Sequence, residues 1–200
     1  EIIRMIKTIM NDDDFYKGFS SFIKKYDGKA ATIDQFIESI VGKNKEIDIN
    51  QYKIWYEQNG TPEISFKRIW EKEHNRLTIL INQNNPNFKN KINNLPLIIP
   101  INIGIFSGID IYKNIKYILK EKQDKIVINN IVNTQDIPIV SYFRGFSAPV
   151  KWTTDSSFDE ELFLIENEND LFTIYDSIKR IYKTIIQNKL YDIKKPDLEK

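Results

Sequence analysis

Apolar positions recur at helical spacing from Ile2 to Tyr56, alternate or run together from Ile64 to Trp152, and return to helical spacing after Phe158. The period changes within residues 51–62, where Gly60 can take the positive φ that ends a helix and Pro62 forbids helix continuation at Thr61. Ahead of that joint the spacing predicts four helices. The first carries Ile2, Ile3, Met5, Ile6, Ile9 and Met10. Asp12, Asp13 and Asp14 open the second, whose Phe15, Phe19, Phe22, Ile23 and Tyr26 form a face expected to be buried, and Asp27-Gly28 closes it. Thr32 and Gln35 stand at capping-box spacing before Phe36, Ile37, Ile40 and Val41, with Gly42 as the stop. Asp48 and Gln51 repeat the cap spacing ahead of a short helix with Tyr52, Trp55 and Tyr56.

Beyond the joint the pattern predicts short strands over 64–70, 77–83, 97–106, 109–119 (broken by a turn near Asn114), 125–131, 139–143 and 146–152. No helix-length segment separates them, which favours a β-sandwich over an α/β unit. Pro96, Pro100, Pro138 and Pro149 belong at edges, bulges or strand starts. The Asn-rich patch 82–94 reads as loop. Asp155, Ser156 and Ser157 turn the chain out of the sheet into a second helical region containing Leu162, Phe163, Ile165, Leu171, Phe172, Tyr175, Ile178, Ile181, Tyr182, Ile185 and Ile186. The lysine-rich end after Asp192 is expected to fray. The fold class is multi-domain α+β: a helical segment, an antiparallel β-sandwich, then a helical segment.

Composition removes function classes rather than adding one. At 200 residues with 41% hydrophobic content the chain can build a real core, and 29 basic against 28 acidic side chains (net +1) give no global attraction to nucleic acid or an anionic membrane. The absence of cysteine excludes disulfides, thiolate metal sites and thiol catalysis. No apolar run approaches membrane-span length, and a cytoplasmic location is the default expectation. Glu1 opens inside an already amphipathic pattern without a cap, which reads as a cut through a helix.

The candidate chemistry is thin. His74 is the single histidine and lacks the second imidazole of a His-Glu-x-x-His helix, so it reads as a surface-turn residue rather than a metal ligand. Asp12 to Asp14 lack the glycine and distal glutamate of a calcium loop and read as helix-start charge. Glu160, Glu161, Glu166, Glu168 and Asp170 could suggest paired catalytic carboxylates, but nothing near them in sequence supplies an apolar pocket, and a solvated helix face is expected. Ser147 has neither a nucleophile-elbow context nor a nearby histidine, and Gly104, Gly108 and Gly145 are too isolated to cradle a phosphate. Trp55, Trp70 and Trp152 lack the basic groove of a base-stacking surface and read as core or interface residues. The chain is expected to hold no catalytic, cofactor-binding or metal-ligating residue of its own.

Four stretches carry a resemblance: residues 1–6 (Glu-Ile-Ile-Arg-Met-Ile), 26–32 (Tyr-Asp-Gly-Lys-Ala-Ala-Thr), 55–62 (Trp-Tyr-Glu-Gln-Asn-Gly-Thr-Pro) and 146–151 (Phe-Ser-Ala-Pro-Val-Lys). In order and spacing they resemble the bacterial aminopeptidase N branch of the M1 zinc metallopeptidases. Residues 95–100 are similar to the family's Pro-Leu-x-Ile-Pro strand, and 159–164 to the start of its C-terminal helical domain. Residues 169–175 depart from the family's Asn-Asp-Pro-Phe-x-Arg-Trp. The resemblance implies that 1–60 are the C-terminal helices of a thermolysin-like catalytic domain, 61–153 an Ig-like β-sandwich, and 154–200 the start of a C-terminal α-helical domain.

The family's zinc helix, its Gly-x-Met-Glu-Asn motif and its transition-state tyrosine all lie upstream of Glu1 in the family's order, so no site residue is carried over. The resemblance therefore implies a non-catalytic portion of a zinc-dependent aminopeptidase, inactive alone, with no cofactor in this chain and zinc in the parent. Its partners would be the parent's remaining domains, with peptide substrate reached only through the catalytic domain. Trp55, Tyr56 and Trp152 are the expected interface anchors or core residues. The alternatives are a stand-alone β-sandwich binding module and a catalytically degenerate relative.

Overall fold

The computed structural model describes residues 1–42, 44–85, 96–132 and 136–194, with backbone alone for 191–194. Most of the Asn-rich patch and the last six residues, read above as loop and frayed end, lie outside the described residues.

Four helices come first: α1 (Ile2–Ile9), α2 (Asp12–Tyr26), α3 (Ile33–Val41) and α4 (Ile49–Glu57). Their starts obey the local chemistry. Asn11 caps α2, the Thr32/Gln35 capping box forms at α3, and the Asp48 side chain accepts from Gln51 N at α4. Gly18 lets α2 and α3 touch, because a Cβ there would stand 2.4 Å from the Ile40 carbonyl oxygen. The α2 face is covered less than expected. Phe15 is buried, whereas Phe19 and Ile23 are 40% and 49% exposed; α3 meets this face through an edge-on cluster of Phe19, Phe22 and Phe36.

The β region is two facing sheets. β1 (Glu63–Glu71), β2 (Arg76–Asn84), β5 (Gln123–Ile128) and β7 (Lys151–Thr153) form one in the order β5-β2-β1-β7, and β3 (Ile99–Ser107), β4 (Asp110–Leu119) and β6 (Val140–Tyr142) form the other in the order β4-β3-β6. All pairings are antiparallel except β1 with β7. Period-two burial of Ile64, Phe66, Leu77, Ile79 and Ile81 faces Ile99, Ile101, Ile103 and Ile105 across the core. β3 is buried on both sides, since α1 lies against the outer face of its sheet. Each buried Ile, Met or Phe contributes about 1.5–3 kcal/mol, so Met5, Ile6 and Ile9 make α1 an integral layer.

Two strand expectations need correction. β4 runs unbroken through Asn114, which pairs with Gly104, and the irregularity sits instead as a bulge between Ile105 and Phe106. Residues 146–152 are strand only from Lys151. A 3-10 turn, Arg144–Phe146, occupies the start of that stretch. Pro100, the second residue of β3, stands at a strand start as expected, and β6 pairs only with Ile103–Ile105, so no ladder partner is lost on that side. The chain closes with α5 (Phe158–Asn167) and α6 (Leu171–Lys194), packed as a hairpin. No helix among the described residues is long and apolar enough to cross a membrane.

Candidate functional site: the joint of sandwich and helices

Both helical segments converge on one turn of the sandwich. Phe143, Gly145 and Phe146 all have positive φ (54°, 65° and 51°), and two of them are bulky residues in the left-handed region. That conformation costs about 1–2 kcal/mol per non-glycine residue and persists where the surroundings fix it. From α1, the Arg4 guanidinium donates to the Gly145 carbonyl at 3.1 Å and to the Phe146 carbonyl, and lies over the Phe146 ring at 5.2 Å. From the opposite side, Asp170 accepts from Gly145 N at 2.8 Å and caps α6 through Thr173 N at 2.9 Å, while Phe172 packs on Phe146.

Arg144 links the same turn to the α5–α6 connection. Its guanidinium donates to Glu168 at 2.9 Å, to Asn169 Oδ1 at 2.5 Å and to Asn114 on β4. The Glu168 side chain is wholly buried and also accepts from Asn169 N and Asp170 N at 2.7 and 3.0 Å. Gly104 beneath is required, since a Cβ there would meet Ser141 Oγ at 2.7 Å and Arg144 Cδ at 3.0 Å.

A second arginine fixes the start of α5. Arg68, on β1 with its side chain 3% exposed, pairs bidentately with Glu160 (2.8 Å to each oxygen) and donates Nε to Asp155 at 2.8 Å; its backbone N also donates to Asp155. Burial works against the Arg68 charge, but the hydrogen bonds with Glu160 and Asp155 outweigh it and hold its pKa above the ordinary value. Glu160 closes a capping box with Ser157, so one carboxylate caps the helix and tethers it to the sheet. A third, Arg180 on α6, stacks 3.7 Å over the Trp152 ring, donates to the Trp152 carbonyl at 3.2 Å and pairs with Asp176 at 2.8 Å.

The other end of the sandwich is tied to α4. Trp55 Nε1 donates to Ile98 O at 2.9 Å, Gln51 Nε2 reaches Pro96 O and Lys120 O, and the Tyr52 hydroxyl donates to Ile2 O on α1. Of the expected anchors, Trp55 and Trp152 therefore bridge elements, whereas Tyr56 is 38% exposed. His74 sits in a 3-10 turn, mostly exposed. Among the described residues no group of three His, Cys, Asp or Glu could hold a metal. Ser147 is buried and its hydroxyl accepts from Asn102 N, a packing role.

The expected solvated acidic face is overturned. Glu161 and Glu168 are buried, Glu160 is held by Arg68, Asp170 binds Gly145, and only Glu166 is exposed. The missed residues are the arginines. Only five of the 29 cationic side chains are arginine, and four of them, Arg4, Arg68, Arg144 and Arg180, sit at junctions between elements. In so lysine-rich a chain that scarcity was the available signal, since the planar guanidinium fork suits buried, multidentate contacts that lysine does not make.

A two-sheet sandwich clasped between helical segments is the class that this geometry defines, and residues 60–155 match the family described as "Domain of unknown function (DUF3458) Ig-like fold". The chain as a whole is similar to Aminopeptidase N of Escherichia coli (26% identical over 199 residues, 94% of this chain and 22% of that protein). It is also similar to Aminopeptidase N of Haemophilus influenzae (25%, 91% of this chain and 22% of that protein) and of Caulobacter vibrioides (28%, 93% and 21%). The crystal structure of Legionella pneumophila aminopeptidase A in complex with aspartic acid shares the fold at a TM-score of 0.82 and 23% identity, over 95% of this chain and 21% of that one. The chain is thus related in sequence to about a fifth of an aminopeptidase N, as its four motif stretches suggested.

Proposed function

We propose that this chain is a non-catalytic portion of a zinc-dependent M1 aminopeptidase, and that it serves as structural support and interdomain spacer. In this reading residues 1–60 complete a catalytic domain, 61–153 form the Ig-like spacer and 154–200 begin a helical domain, in a cytoplasmic enzyme that removes N-terminal amino acids from peptides. The observation that carries the proposal is the turn at Phe143–Phe146, where Arg4 from the first helix and Asp170 from the last helical hairpin hold neighbouring backbone groups. Elements 141 residues apart in sequence meet through hydrogen bonds rather than through a flexible linker, which is what a spacer of fixed orientation needs. Similarity to aminopeptidase N along almost the whole chain supports the parent's identity.

The test is the intact mass and activity of the native gene product. The expected result is a product several times the 23.7 kDa of this chain that hydrolyses an alanyl anilide and stops when chelator is added, with no activity in the 200-residue chain alone. A native product of about 23.7 kDa would overturn the proposal in favour of a binding module.

A further inference from the structure

A groove of about 680 Å³ lies between the β1–β7 edge of the four-stranded sheet and α6. Its floor is apolar, formed by Phe146, Val150, Trp152 and Phe172. Its banks are basic, with Lys151 on β7 and Lys179, Arg180 and Lys183 on α6. Phe172, Asp176, Lys179 and Lys183 succeed one another at i, i+4, i+7 and i+11, so one stripe of α6 lines the cleft along its length.

The charges in it are unevenly used. Asp176 is taken by Arg180 at 2.8 Å and by Lys179 at 3.7 Å. Arg180 is also held over Trp152, whose ring face it covers. Lys151 and Lys183 have no carboxylate within 4.0 Å among the described residues, and both are exposed. Four cations against Glu63 and Asp176 leave an excess of two positive charges around an apolar floor.

We propose that this groove docks an acidic polypeptide segment. Carboxylates of the segment would sit between Lys151 and Lys183, and an apolar side chain between them would rest on the Val150–Phe172 floor. The charge pattern selects this chemistry. Nucleic-acid binding draws on many phosphate contacts and on open aromatic faces, whereas here the excess is two, two carboxylates line the cleft and the Trp152 face is occupied by Arg180. The volume is that of a site for a short segment. The floor shares Phe146 and Phe172 with the turn, but Lys151 and Lys183, which would hold the carboxylates, make none of the contacts that fix it, so the proposal stands apart from the spacer reading.

The test is fluorescence anisotropy of a fluorescein-labelled Glu-Glu-Leu-Glu-Glu peptide titrated with the full 200-residue chain. The expected result is saturable binding that weakens as salt rises, falls about tenfold in K151E/K183E, as two lost and reversed surface pairs imply, and is unchanged in K17E/K24E on the outer face of α2. K151Q/K183Q, which adds no repelling charge, gives a smaller loss in the same direction. Replacing the peptide's leucine with glycine also weakens binding. The proposal is overturned by absence of binding, by equal loss in K17E/K24E, or by tighter binding of a single-stranded oligonucleotide of the same charge.

Discussion

Replacing Arg144 with methionine isolates the joint. The substitution keeps the stem that packs over Gly104 but removes the guanidinium, leaving the Glu168 carboxylate, whose side chain is wholly buried, without its cation. Truncating one partner of a buried pair typically costs about 3–5 kcal/mol. Here the Asn169 and Asp170 amides still donate to Glu168 Oε1, and Arg144 itself is 16% exposed, so the lower end, about 3 kcal/mol, is expected. With a urea m-value of about 2 kcal/mol/M for a chain of this size, the unfolding midpoint should fall by about 1.5 M. Glu168→Gln should restore part of that loss in the R144M background, because the buried charge is then gone; the cycle should give a coupling near about 2 kcal/mol. Amide exchange should quicken first at the start of α6, where Asp170 and Glu168 hold the chain. If R144M shifts the midpoint by less than about 0.25 M, or if the two substitutions simply add, the pair does not hold the joint and the reasoning fails.

The same contacts set three further outcomes. Arg68→Met should cost about 2–4 kcal/mol, because it frees Asp155 and Glu160, which are only 35% and 19% exposed, and thermal unfolding should show it; no change in Tm would contradict the tether. Gly18→Ala places a Cβ against the Ile40 backbone at 2.4–2.9 Å, where neither helix can yield cheaply, so a loss of about 1–3 kcal/mol is expected despite alanine's better helix propensity; a stabilised variant would refute the close contact. Glu161, buried between α5 and α6, has its pKa raised, chiefly by burial, against the opposing hydrogen bond from Ser177 and the charge of Arg180. A raised carboxyl binds more protons folded than unfolded, so its contribution to stability falls as pH rises from about 4.5 through the raised native value. Glu161→Gln should therefore be the more stable protein at about pH 7, with the difference shrinking towards about pH 4, and urea midpoints across that range measure it.

Local signals carried far in this chain. The Thr32/Gln35 capping box, the Asp48 cap and the change of period before Pro62 all appear where the residues put them, because caps and breakers act within about four positions of the chain. The misreadings have a common cause. Residues 146–152 alternate like a strand, yet Phe143 and Phe146 take positive φ because Arg4 and Asp170, 142 residues upstream and 25 downstream of their contacts, fix the turn. Glu160 and Glu168 look solvated from their sequence neighbours and are paired by Arg68 and Arg144, 92 and 24 positions away. Partners at that separation leave no periodic trace, whereas the rarity of arginine does.

The placing of those arginines explains why the hairpin is fixed rather than merely attached. Arg68 holds Glu160 at the start of α5, Arg144 holds the connection at Glu168 and Asn169, and Arg180 pins α6 to Trp152 some turns further on. The first and third anchors lie on different helices, whose axes are separated by about 8–10 Å, and the second lies at the far end of both. Three points that do not share a line leave a rigid body no rotation, whereas any two leave one. Loss of a single arginine therefore leaves the hairpin held by the other two together with the Asp170 bond to Gly145 N and the Phe172–Phe146 contact, so the joint loosens without coming apart. Held this way, the hairpin keeps a fixed orientation on the sandwich, whose packed core is the stiff element between the anchors.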